Sequence, residues 1–335
     1  MRARLLPALL VLGTLPGTAK APLPPRLLSQ TGLYSAPGVV ATAALPFSPQ
    51  YPLWTDGAAK ARWIRLPTGT AIEGRDEAAW VFPVGTRIWK EFAFGGRRVE
   101  TRLMWKTGTS AWVFASYAWN QAQTDAVLVP EGGLPDAAEI APGLRHSIPS
   151  REDCRGCHGQ EKVEVLGFSA LQLSPDRDPA ALHAEPLRPG LVTLADLVSR
   201  GLLRGTRPDL LTRPPRIEAD TPVARAALGY LLTHCASCHR ADRPIPGLDL
   251  DLRPHQALRT TLDRPGSYRI PGAEASRLLS PGRPERSALL HRMGSRNPTV
   301  QMPPLGSVRV DQAAVDHLRR WIAGMPAAAS PAAAH

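Results

Sequence analysis

The sequence predicts a multidomain α+β chain, with an N-terminal antiparallel β-sandwich-like domain followed by an all-α domain. Three observations predict this. Seven of the eight tryptophans fall between residues 51 and 120, in short runs where apolar and polar residues alternate as they do along strands. At Thr221-Pro222 a capping residue precedes a proline that suits the first helical position, and a long apolar segment follows. Near the C-terminus, Val315, Leu318, Trp321 and Ile322 recur at the spacing of one helix face, behind Asp311 as a cap.

Taken in order, residues 1–21 read as a cleaved secretory signal peptide. Arg2 and Arg4 precede an apolar run from Leu5 to Leu15, and Ala19-Lys20-Ala21 is a small-x-small cleavage site. The run is too short for a transmembrane anchor, and no later stretch is long and apolar enough. The expected location is the periplasm. Residues 22–150 form the Trp-rich β domain. Its first part, to residue 50, is rich in Pro, Leu and Ala and reads as an extended segment packed on the domain. "TRIWKEFAF" (86–94) and "RVETRLMWK" (98–106) flank Gly95-Gly96, a hairpin signal. "SAWVFASYAW" (110–119) continues the meander, with the tryptophans as the expected sandwich core. Residues 151–203 are expected to pack on this domain and end in a short amphipathic helix at 191–203. The Arg/Pro-rich stretch 204–220 reads as a linker, 221–326 as the all-α domain, and 327–335 as a disordered tail.

All four cysteines fall in two copies of one motif: Cys154-x-x-Cys157-His158 and Cys235-x-x-Cys238-His239. This spacing covalently attaches c-type haem, the two thiols forming thioethers and the histidine binding iron. A Cys-x-x-Cys pair alone also suits half a zinc site or a redox dithiol. Duplication, a histidine after each pair, and no spare cysteine favour two haem c groups. Periplasmic export agrees, because haem is attached in that compartment.

His158 and His239 are then the proximal iron ligands. For the second haem, Met302 in "VQMPPLGS" is the favoured distal ligand, since the two prolines stiffen the chain around it. A thioether ligand raises the reduction potential. Met293 competes but reads as a helix core residue. For the first haem, no methionine occurs between His158 and Met293. His146, His183, Met104 and Lys90 are candidates, with His146 in front, and an open iron is a further alternative. Met104 and Lys90 would require the β domain to cap the haem.

Residues 221–326 resemble a class I cytochrome c domain, through Gly229-Tyr230, Cys235-x-x-Cys238-His239, Met302-Pro303 and Trp321. The resemblance implies outer-sphere electron transfer, and first and last helices that cross near those small and aromatic positions. The whole chain is similar to a bacterial family of periplasmic dihaem c-type cytochromes. That similarity rests on "PLWTDGAAKARWIRLP" (52–67), "FPVGTRIWKEF" (82–92), "VETRLMWKTG" (99–108), "YAWNQAQTDA" (117–126) and "IPSREDCRGCH" (148–158), in that order. Relatives often carry an aromatic residue where this chain has His146. The resemblance implies an electron acceptor for a secreted dehydrogenase.

The expected function is therefore electron transfer with redox protein partners, a dehydrogenase or a respiratory cytochrome. The alternative is a dihaem peroxidase or oxidase with an open first haem. The chain carries 40 Lys and Arg against 29 Asp and Glu, a formal charge of +11. Such an excess suits steering of acidic partners, or is simply an Arg-biased composition. Scattered arginines on an exported chain do not point to nucleic acid.

Overall fold

The computed structural model describes residues 22–159, 165–273 and 276–326; the leader and the tail lie outside the described residues. The strands are β1 (Tyr34–Ala36), β2 (Val39–Val40), β3 (Leu45–Pro46), β4 (Ala59–Arg65), β5 (Ile72–Glu73), β6 (Arg87–Phe94), β7 (Arg97–Lys106), β8 (Trp112–Trp119), β9 (Ala126–Leu128), β10 (Leu134–Ala141), β11 (Leu144–Ile148) and β12 (Leu203–Arg204). One six-stranded sheet, ordered β3-β4-β6-β7-β8-β9, dominates. Its pairs are all antiparallel. Gly95 and Gly96 both have positive φ, 53° and 78°, as a two-residue type I′ turn between β6 and β7 requires.

The expected β-sandwich is not what forms. Among the described residues, the six-stranded sheet faces no second sheet of comparable size; the remaining sheets have two strands each. Coil and short helices cover both faces instead. Alternation puts Trp89, Leu103, Ala115 and Tyr117 on one face, where Leu28, Leu33 and Ala44 of the leading segment bury them. Ile64, Ile88, Met104 and Phe114 occupy the other face, against Phe168, Leu194, Leu197 and Leu203. The tryptophans are thus divided between two cores rather than pooled in one.

The helices are α1 (Arg151–His158), α2 (Leu194–Ser199), α3 (Pro222–His234), α4 (Pro254–Thr261), α5 (Ala288–Met293) and α6 (Gln312–Ala323). The expected large all-α domain at 221–326 is not evident: the chain is mostly β-sheet, with these few helices. Prolines explain the difference. Pro244, Pro246, Pro265, Pro271, Pro281, Pro298, Pro303 and Pro304 each lack an N–H and would clash with a preceding helical turn, so between α3 and α6 only the short α4 and α5 form and the segments joining them stay irregular. The two helices that caps and periodicity mark do form. Thr221 Oγ1 accepts from Ala224 N at 3.1 Å, and Asp311 Oδ1 from Ala314 N at 3.2 Å. Their apolar faces meet in a core holding Leu228, Leu231, Val315, Leu318 and Ile322.

The helix crossing implied by the resemblance differs in one respect. The open side of Gly229 is filled by the ring of Tyr51, from the segment before β4, so an added Cβ would lie 2.1 Å from Tyr51 Cε1. The same segment makes further ties to the C-terminal part. Trp54 N donates to His234 Nε2 at 2.8 Å, and Asp56 Oδ1 accepts from Val308 N and Arg309 N at 2.8 and 2.9 Å. No helix among the described residues is long and apolar enough to cross a membrane.

Candidate haem-attachment sites

The first motif lies on α1. Ser150 and Asp153 form a reciprocal capping box, with Ser150 N donating to Asp153 Oδ2 at 2.9 Å and Asp153 N to Ser150 Oγ at 3.0 Å. The helix this starts carries Cys154 and Cys157 three residues apart, on one face. It ends at His158, whose ring centroid is 5.5 Å from that of Phe114 on β8. Cys154 packs against the core that holds Met104 and Phe114.

The second motif follows α3 directly. Cys235 is the C-cap, and its carbonyl accepts from Cys238 N at 3.1 Å and His239 N at 2.9 Å, so the motif is one tight turn. Met302 is pinned from the other side: Met302 N donates to Arg292 O at 3.0 Å, and Arg292 Nε donates to Val300 O at 2.8 Å.

Two cavities surround these residues. The smaller is lined by Cys235, Cys238, His239, Leu252, Met293 and Met302. His239 Nδ1 is buried with no hydrogen-bond partner, an uncommon state for an imidazole and one that an iron or a reoriented ring would relieve. Burial, with Arg292 nearby, lowers the His239 pKa and favours the neutral ring that binds metal. Met293 and Met302 both line the two cavities, but Met293 also belongs to the helical core at 5% exposure, whereas Met302 does not.

The larger cavity is lined by Cys154, Cys157 and His158 from α1 and by Lys90, Met104 and Phe114 from the sheet. The β domain therefore does cap the first motif. Met104 is the cross-strand partner of Phe114, next to His158, while Lys90 sits one row further along the sheet. These residues fit a covalently attached macrocycle: paired thiols, a histidine, an apolar wall and a sulfur ligand around one hollow.

His146 and His183 are not among the residues lining either cavity. Both ring nitrogens of His146 face carboxylates, Glu100 Oε1 at 3.0 Å and Asp56 Oδ2 at 3.7 Å. His183 Nε2 meets Asp311 Oδ2 at 2.8 Å. The candidates that the structure brings to the first motif are thus Met104 and Lys90. His234 went unremarked in the sequence although it precedes Cys235. Its Nδ1 faces Tyr230 O at 3.0 Å and its Nε2 accepts from Trp54 N, so it joins the two halves. Burial pushes its pKa down to about 4.

The two motifs meet. Cys238 Sγ lies 3.8 Å from Gly156 O, between the two cysteines of the first motif, and Cys157 lines both cavities. Among the described residues no three His, Cys, Asp or Glu side chains are grouped to hold a metal ion by themselves.

The Asp56–His146–Glu100 cluster makes stability depend on pH. Burial lowers the His146 pKa, but hydrogen bonds to Asp56 and Glu100 outweigh it and hold the value above 6.5. For Glu100, burial is outweighed by Arg102 and His146, and its pKa lies below 4.5. The His146 contribution is complete below pH 6.5 and is lost as pH rises through its raised value. The Glu100 contribution is complete above pH 4.5 and is lost as pH falls through its lowered value. Urea unfolding across pH 5 to 9 is expected to show stability falling on the alkaline side, with a slope that His146→Gln flattens; an unchanged slope would contradict this account. Comparison with protein-family models, with curated proteins and with solved structures finds no match for this chain.

Proposed function

We propose that the chain is a periplasmic dihaem c-type cytochrome that transfers electrons between redox protein partners. One haem is attached at Cys154 and Cys157 with His158 on iron, the other at Cys235 and Cys238 with His239 on iron. Such groups supply one-electron redox chemistry when bound. The chain's own part is to hold two of them side by side, to wall them from water and to provide the remaining ligands.

The observation that carries this reading is the meeting of the two motifs, with Cys238 Sγ 3.8 Å from Gly156 O and Cys157 lining both cavities. Attachment points this close put two redox groups within easy electron-transfer reach. Met302 supplies the distal ligand at the second site. At the first, Met104 is favoured over Lys90, because it pairs across the strands with the phenylalanine beside His158. A dehydrogenase or a respiratory cytochrome is the partner class, and the basic charge of the chain suits an acidic docking face. Neither His146 nor His183 lines the cavity at the first motif, which favours one second reading, a peroxidase or oxidase with an open first iron.

EPR of the oxidised full-length protein, with haem per chain quantified, separates these. Two haems per chain and two low-spin signals are expected. One high-spin signal would favour the peroxidase or oxidase, and fewer than two haems would overturn the dihaem reading.

A further inference from the structure

The sheet face beside the larger cavity changes character between neighbouring rows. One row across β4, β6, β7 and β8 is Ile64, Ile88, Met104 and Phe114, which is apolar throughout. The next row is Arg62, Lys90, Arg102 and Ser116. Three cations directly opposite one another on adjacent strands repel, and burial strengthens the repulsion.

The acids nearby do not balance this row. Arg62 meets Glu185 at 3.3 Å, and Arg102 forms a bidentate pair with Glu100. Lys90 has no ion pair or hydrogen bond among the described residues; its ammonium stands 5.0 Å above the Phe92 ring. Across the same cavity, Arg296 is also without an ion pair, its Nη1 and Nη2 donating only to Ser295 O and Met293 O. Two guanidinium nitrogens on cavity-lining residues, Arg62 Nη2 and Arg296 Nε, are buried with no partner. The Arg62 side chain is 5% exposed. Two acids line the cavity, and neither pairs with these cations: Asp153 is held in the capping box of α1, and Asp311 holds His183 and caps α6. Lys90 and Arg296 therefore face the cavity without an acid partner, beside an apolar wall.

We infer that Arg62, Lys90 and Arg102, with Arg296 opposite, form a dicarboxylate-binding site whose occupant is the propionate pair of the haem attached at Cys154 and Cys157. This rests on the dihaem reading. A haem is an apolar disc with two carboxylates on one edge, and the two rows offer the same sequence of chemistries. Arginine forks and a lysine ammonium are suited to carboxylates, and two propionates would give Lys90 and Arg296 the acid partners they lack. The Lys90 pKa lies well below its ordinary range, owing to burial and then to Arg62, Lys60 and Arg102. A carboxylate beside it removes that cost.

The test uses the full-length holoprotein, wild type and with Lys90→Gln or Lys90→Arg. Haem per chain, the EPR spin state and the reduction potential of each haem are measured. In Lys90→Gln both haems are expected to stay attached and the first-site EPR signal to keep its wild-type form. The potential of the first-site haem falls, because a cation that opposed its oxidised form is gone, while the second-site potential holds. Lys90→Arg keeps the wild-type value. A first-site potential indifferent to Lys90→Gln, or a changed first-site EPR signal, which would make Lys90 an iron ligand, overturns the inference while leaving the dihaem reading intact. Saturable binding of added succinate to the wild-type holoprotein, read from the first-site absorption band, would assign the row to a soluble dicarboxylate instead and overturn the occupant. A wild-type chain without haem at Cys154 and Cys157 overturns both readings together.

Discussion

Gly229→Ala is expected to cost the chain about 3 kcal/mol, the upper end of the usual overpacking range. The new methyl carbon would lie 2.1 and 2.2 Å from Tyr51 Cε1 and Cδ1 and 2.7 Å from Cζ, far inside contact distance. Relief would require the ring to move, and the ring is held at both ends. Tyr51 N donates to Gln172 Oε1 at 3.0 Å, and its hydroxyl donates to Asp178 Oδ2 at 3.1 Å. Helix α3 cannot retreat either, because its other side is packed on α6. Urea unfolding measures the loss. Combining Gly229→Ala with Tyr51→Ala should give less destabilisation than the two single changes added, since the clash exists only when both groups are present. A loss within about 0.5 kcal/mol for the single variant, the range of an ordinary surface change, would mean that Tyr51 does not occupy the groove.

Trp89→Ala is expected to cost more, about 3–5 kcal/mol. Trp89 is fully buried at the centre of β6, between its cross-strand partners Trp63 and Leu103, under the leading segment. Its indole Nε1 donates to Thr31 Oγ1 at 3.0 Å, so removing it opens a cavity and takes away a hydrogen bond to the leading segment. Trp89→Phe keeps most of the apolar volume and is expected to cost less than Trp89→Ala. Part of that cost is the lost hydrogen bond, about 1 kcal/mol. Equal losses for the two variants would contradict a packing origin.

Particular residues show what could be read in advance. Gly95-Gly96 between two alternating runs specified a hairpin because few other residues tolerate positive φ twice in succession. Thr221-Pro222 and Asp311 specified helix starts because a cap is a local hydrogen bond. What covers the sheet was not legible. Alternation says which residues share a face, and nothing about whether a sheet or coil lies against it, so Leu28 and Leu33 read only as part of a Pro-rich segment. The helical content of 221–326 was overread from its two ends, although the prolines between them were in plain view. The motifs were fully legible as spacing, but their meeting at Gly156 and Cys238 depends on tertiary contacts. The same holds for the first-site wall. Met104 and Lys90 were candidates only on condition that the β domain capped the motif, and in the structure it does. His146 looked available because a carboxylate pair drawn from residues 56 and 100 has no signature in sequence. The row Arg62–Lys90–Arg102 passed as scattered basic charge, since only strand register lines the three up.

The short stretch from Gln50 to Asp56 also bears on modularity. It fills the Gly229 groove, donates to His234 and accepts the amides of Val308 and Arg309. A fragment beginning at residue 221 would keep both of its main helices, yet present a bare furrow, an imidazole stripped of its donor and two orphaned peptide N–H groups. The Arg/Pro-rich stretch at 204–220 is thus a seam in composition but not a place where the protein can be cut in two. Recombination that exchanged the C-terminal half between related genes would have to carry residues 50–56 with it, or supply their equivalent. The halves inherit each other's surfaces and would be expected to evolve as one unit.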